Sequence, residues 1–149
     1  MPKKQLNDLY TPSGERLAAQ PNATPWDVYP RPRMKRDSYL NLNGWWDFTV
    51  TADGESAPTE FTESIRVPFC PECLLSGVHR VPADGSHLWY RRTFVLPEGF
   101  KKDRVLLHIG AADQTAWVYV NDRYVGEHSG GYDPFVLDIT DVLADENTI

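Results

Sequence analysis

The side chains best suited to chemistry are two thiols and a scatter of acids. Cys70-Pro-Glu-Cys73 sets two cysteines three positions apart, and His79 and His87 follow. Two thiolates and two imidazoles could close a tetrahedral zinc site. These histidines, however, are eight positions apart, wider than the spacing such pairs use. A redox Cys-x-x-Cys needs a strand running into a helix, whereas this one sits in proline-rich surroundings. Two loop thiols is the reading that remains, and no metal or cofactor is expected. General acid–base work would need two carboxyl groups held as a pair. Asp47, Glu72, Asp113, Glu127, Asp133, Asp138 and Asp141 are available. None forms an evident pair, and Asp138 and Asp141 suit strand-end and capping duties. No catalytic residue is expected within this chain.

The elements that must position these groups are strands. The 149 residues are 41% hydrophobic and 12% aromatic, a globular composition long enough for one domain with a substantial core. The net charge of −6 argues against a nucleic-acid partner, which would select a basic face. No apolar stretch reaches the roughly 18 residues of a membrane span, so no membrane partner is expected. The basic start Met1-Pro-Lys-Lys4 is followed by no apolar run of signal-peptide length, which makes the cytoplasm the expected location.

Residues 1–25, with Pro2, Pro12, Pro21 and Pro25, read as a tail or arm, disordered over residues 1–20 except for a brief helix around Glu15–Gln20. The Trp26–Pro32 stretch is held extended by its prolines, with Trp26 and Tyr29 as surface anchors. Strand signals follow at 45–51, 61–67, 87–96, 105–109, 115–125 and 135–139, separated by turn residues. Asn121-Asp122 reads as a two-residue hairpin turn, because both residues tolerate positive φ. Thr140 or Asp141 is expected to cap a short turn. Residues 68–86 form a long irregular connection. Glu146–Ile149 reads as the opening of a further strand, and the expectation is a chain cut from something larger. Short strands at this spacing define an all-β sandwich or barrel.

Trp45 and Trp46 are neighbours in the first strand, so they must point to opposite faces. One enters the core; the other faces outward and needs a cover, for which the Trp26 arm, a neighbouring domain or a partner subunit are candidates.

The order of segments resembles the opening of glycoside hydrolase family 2 enzymes, which include β-galactosidases, β-glucuronidases and β-mannosidases. The resemblance rests on Tyr29-Pro-Arg-Pro32, Arg36 through Phe48, Val67-Pro-Phe-Cys-Pro-Glu72, Trp89 through Phe94, Leu106 through Asp113, Val118-Tyr-Val-Asn121, Val125 through Phe135, Asp138-Ile-Thr-Asp141 and Glu146–Ile149. It covers residues 26–149. Two positions depart from the family pattern: Cys73 stands where serine is usual, and Asp122 where glycine is frequent. The first makes the Cys-x-x-Cys incidental.

The resemblance implies a jelly-roll β-sandwich of the galactose-binding-domain-like type over residues 26–149, ending within its last strand and preceded by an extended arm. It implies a non-catalytic, N-terminal sugar-binding domain. The two catalytic glutamates would lie on a separate barrel, about 5–5.5 Å apart in a retaining enzyme. The partners implied are the remaining domains, a carbohydrate substrate and a homo-oligomer. A pyranose offers an apolar face that stacks on aromatic rings. Trp26, Trp46, His128 and Tyr132 are therefore the candidates for carbohydrate or interdomain contact. Trp117 and Tyr119 join them if they are exposed, although filling the core is the simpler role for any one of these rings. A free-standing carbohydrate-binding module is the alternative function.

Overall fold

Nine strands and one short helix carry the architecture of a computed structural model that describes residues 8–52, 54 and 56–149. Every strand pairing is antiparallel. The chain divides into two compact units: one takes the residues up to Lys35 and Asn41–Arg91, the other Arg36–Leu40 and Arg92–Ile149. No helix among the described residues is long and apolar enough to cross a membrane.

The first unit is built on β1 (Gly44–Thr51), flanked by β2 (Glu63–Val67) and β3 (His87–Arg91). Strand alternation sorts its side chains. Trp46 and Phe48 share a face with Ile65, which lies directly across from Trp46, and Phe48 and Ile65 are fully buried. Burial of each contributes about 1.5–3 kcal/mol. Tyr90 packs its ring edge-on to Phe48 at 5.1 Å, and this partial burial, with Cys70 and Glu72 nearby, pushes its phenol up to about 12. On the other face, Asp47 accepts two hydrogen bonds from Arg91, at 2.9 and 3.0 Å.

Trp45 also belongs to that second face and is 42% exposed, so of the two neighbouring tryptophans it is the outward one. Its cover comes from the amino-terminal segment. Thr11 caps α1 (Pro12–Ala18), its hydroxyl accepting from the Gly14 amide at 3.0 Å, and Pro12 supplies the fixed φ of a first helical residue. The helix thus starts earlier than the Glu15–Gln20 expectation. Beyond it, the Trp45 indole donates to the Pro21 carbonyl at 2.9 Å. Arg66, buried at 3% exposure, donates to the carbonyls of Leu17, Gln20 and Ala23, and its guanidinium lies 5.9 Å from the Trp45 ring. Burial lowers the Arg66 pKa. The expected disordered tail is therefore corrected for residues 8–20, which a buried cation ties to β2; residues 1–7 lie outside the described residues.

The 68–86 connection is irregular, as expected, but organised around the fully buried Ser76. Its hydroxyl donates to the Pro71 carbonyl and accepts from the amides of Val78 and His79.

The second unit pairs β4 (Thr93–Phe94) with β9 (Asn147–Thr148), β5 (Leu106–Ile109) with β8 (Phe135–Asp138), and β6 (Thr115–Val120) with β7 (Arg123–Ser129). Its buried hydrophobic side chains are Phe94, Val105, Leu107, Val118, Val120 and Ile139, with Asn147 the buried polar one. The β6–β7 turn is the expected one: Asn121 and Asp122 take φ of 52° and 62°. The expected cap at Thr140 or Asp141 is corrected. The 3-10 turn Thr140–Val142 begins after Ile139 without a side-chain cap. Thr140 is engaged otherwise, its amide and hydroxyl both donating to Asp138 Oδ1 while its oxygen accepts from the Val105 amide at 2.9 Å.

Candidate functional site

Within the first unit, Trp26 is 66% exposed, with its ring 5.5 Å from that of Phe69. Its carbonyl accepts from the Asn41 amide group at 2.8 Å, and that of Pro25 from Asn43 at 3.0 Å. Trp46 is half-buried on the core-facing side of β1, and its indole donates to the Leu42 carbonyl at 2.8 Å. That placement leaves its ring poorly disposed for a ligand. Cys70 and Cys73 are free thiols in a turn whose Cys73 amide donates to the Cys70 carbonyl at 2.9 Å. Burial, then Glu72, raises the Cys70 thiol, the opposite of a reactive cysteine. His79 faces Asp8 at 3.6 Å, and among the described residues no three His, Cys, Asp or Glu side chains converge as metal ligands would.

In the second unit, His128 and Tyr132 are not equivalent. Tyr132 is 99% exposed in the loop after β7. His128 points inward: its imidazole stacks on Phe135 at 4.6 Å and 17°, and Nε2 is buried without a hydrogen-bond partner. The expectation of a surface contact at His128 is corrected, because the parity of β7 turns this side chain toward Phe135. Gly131 lets the loop close, since a Cβ there would lie 2.5 Å from an Asp113 carboxylate oxygen.

Glu63 and Asp138 serve structure. A side-chain hydrogen bond from Arg80 holds Glu63 below its ordinary value. Asp138 is lowered to about 2, chiefly by the Thr140 hydroxyl and amide and then by Arg104. A general acid needs the opposite displacement.

The aromatic surface of the second unit lies instead on the outward face of the β6–β7 hairpin. Trp117 and Tyr119 alternate with the buried Val118 and Val120, and are 53% and 47% exposed. Across the hairpin, Trp117 pairs with Glu127, Tyr119 with Tyr124, and Thr115 with Ser129. The rings of Tyr119 and Tyr124 meet edge-on at 5.6 Å, and the Tyr124 hydroxyl donates to Glu127 Oε2 at 3.2 Å. Tyr124, 53% exposed, joins this face only because β7 bulges: Gly126 pairs with Val118 and Tyr124 with Tyr119, leaving Val125 extra. Parity alone exposes Trp117 and Tyr119; the isolated Gly126 within the strand run is the one signal of the bulge, and without it Tyr124 and the place of Glu127 beside it went unforeseen.

The antiparallel strand pairings describe an all-β sandwich module that carries aromatic rings on the outer face of one hairpin. Comparison with known proteins agrees. The profile of the glycosyl hydrolases family 2 sugar binding domain matches residues 75–149. A β-galactosidase of Thermoanaerobacter pseudethanolicus is 46% identical over 114 residues, which is 74% of this chain and 15% of that enzyme. A β-glucuronidase of Paenibacillus borealis is 28% identical over 121 residues, 77% of this chain and 20% of that one. The solved β-glucuronidase of Faecalibacterium prausnitzii superposes with a TM-score of 0.60 at 26% identity, covering 81% of this chain and 22% of its own. This chain belongs to glycosyl hydrolases family 2, as a sugar-binding domain, and the all-β sandwich class read from its sequence holds. It spans between about one seventh and one fifth of the length of these relatives.

Proposed function

We propose that this chain is the non-catalytic N-terminal domain of a retaining O-glycoside hydrolase of the β-galactosidase or β-glucuronidase kind. In this reading it works in the cytoplasm and supports a catalytic barrel and its substrate pocket. The observation that carries it is the proportion of the matches: they take in about three quarters of this chain and 15–20% of each relative. Three acids fit this reading, since Asp47, Glu63 and Asp138 are each paired with an arginine.

The test is enzymatic. The chain alone, incubated with nitrophenyl β-galactoside and nitrophenyl β-glucuronide, is expected to release no nitrophenol, whereas the product of the whole gene hydrolyses one of them. Turnover by the isolated chain would refute the assignment.

A further inference from the structure

We propose that the outward face of the β6–β7 hairpin is a binding site for a neutral, β-linked oligosaccharide, with Trp117 and Tyr119 as the stacking platform and Glu127 as the hydroxyl acceptor. The proposal deepens the reading of the chain as a non-catalytic sugar-binding domain and rests on it.

Three observations converge on this occupant. The first is the pair of rings. Trp117 and Tyr119 are successive same-face residues of one strand, so they stand roughly 7 Å apart along it. That is the scale of one sugar unit, and the two rings can each underlie one of two linked pyranoses. Both are about half exposed although they flank the buried Val118 and Val120. Large aromatic surface left in water on a small hairpin carries a standing cost that a stacked ligand removes.

The second is the polar chemistry set beside the rings. Glu127 lies directly across from Trp117. Its Oε2 accepts from Tyr124 at 3.2 Å, an arrangement that holds the carboxylate at the edge of the aromatic platform. A carboxylate has lone-pair sites for more than one donor, so adjacent sugar hydroxyls suit the capacity that Tyr124 does not use. At the far end of the same face, Thr115 and Ser129 hold their hydroxyls 3.0 Å apart.

The third is charge, which narrows the class. Glu127 is the one ionised side chain among the outward residues Thr115, Trp117, Tyr119, Tyr124, Glu127 and Ser129. Arg123 sits on the opposite parity, and its guanidinium donates to the Asp141 carbonyl at 3.2 Å. A uronate brought to this face would meet a like charge. A neutral sugar would not.

Nuclear magnetic resonance of the full chain tests this, because Trp117 is the sole tryptophan of the second unit and its indole N–H reports the site. Neutral β-linked galacto- and gluco-tetraoses are the probes, with a glucuronate-bearing tetrasaccharide as the charged counterpart. The expected result is a saturable shift of the Trp117 indole signal with a neutral probe in the millimolar range or tighter. Trp117→Ala and Tyr119→Ala should each weaken binding about tenfold or more. Trp117→Phe, which keeps a ring, should retain part of the affinity and guards against a folding artefact. Glu127→Gln should narrow the gap between the neutral and uronate probes.

No shift with either neutral probe would overturn the proposal, as would binding that survives the double Trp117→Ala, Tyr119→Ala change or equal affinity for the uronate. So would a concentration-dependent dimer dispersed by Trp117→Ala, since a second copy would then be the occupant. None of these results touches family membership, and turnover of nitrophenyl glycosides by the chain would leave this site standing while removing the functional reading above.

Discussion

Replacing Asn147 by alanine should destabilise the chain by about 3 kcal/mol. Asn147 is fully buried, and its side chain makes three hydrogen bonds: Oδ1 accepts from the Ala144 amide at 2.8 Å and from Asn121 Nδ2 at 3.0 Å, while Nδ2 donates to the Ala144 carbonyl at 2.9 Å. Alanine removes all three and leaves partners behind in a half-buried setting. One buried group left unsatisfied costs about 1–3 kcal/mol. Asn121 keeps its bond to the Val142 carbonyl at 2.8 Å, so its share is small. The Ala144 amide and carbonyl carry most of the loss, at about 1–1.5 kcal/mol each. In urea, with a slope of about 2 kcal/mol/M, this moves the midpoint down by about 1.5 M. Asn121→Ala also removes three bonds, because the Asn121 side chain accepts from the Thr148 amide at 2.8 Å as well as donating to Val142 and Asn147. The two residues share one network, so the double variant should lose at least 0.5 kcal/mol less than the added single losses, by the usual size of coupling between contacting residues. A midpoint shift for Asn147→Ala below about 0.5 M, or strict additivity in the cycle, would show that the network does not tie the hairpin tip to β9 as described.

Three further outcomes follow. Arg66→Met should cost about 2–3 kcal/mol, because three carbonyl partners lose a charged donor, and limited proteolysis should then cut within residues 8–25 well before the rest of the chain. Gly77→Ala should cost about 1–2 kcal/mol in thermal unfolding, since φ is +82° and the added Cβ would lie 3.0 Å from the Trp45 indole. Asp138, depressed to about 2 in the folded chain, contributes stability that is present above its unfolded value near 4 and is lost as pH falls from about 4 to 2. Thr140→Ala should raise the Asp138 pKa, read by carboxyl carbon resonance, and flatten that part of the stability profile.

Strand positions and class were legible because alternation is a local property: Val105 and Leu107 are buried where Leu106 and His108 are exposed, and the Asn121-Asp122 turn has the positive φ its residues permit. What was illegible depends on partners remote in sequence. The amino-terminal segment reads as polar and proline-rich, and donors remote in sequence order it: Arg66, some 43 to 49 positions away, and the Trp45 indole. His128 lies in a glycine-rich run that suggests a surface loop, yet its strand parity and Phe135 decide its direction. Long strand signals also concealed a break: residues 87–96 divide at Arg92, where the backbone exchanges hydrogen bonds with Ile149. Of the candidate site, the exposure of Trp117 and Tyr119 could be derived from their alternation with valines, whereas the ring of Tyr124 required the pairing register.

The surplus Val125 makes the hairpin a one-residue switch of chemistry. Were the strand to take this residue into the ladder instead of looping it out, alternation would carry glutamate and tyrosine to opposite sides. A relative that keeps the residue but pairs it evenly, however alike in composition, would therefore display a different set of functional groups to whatever approaches from outside.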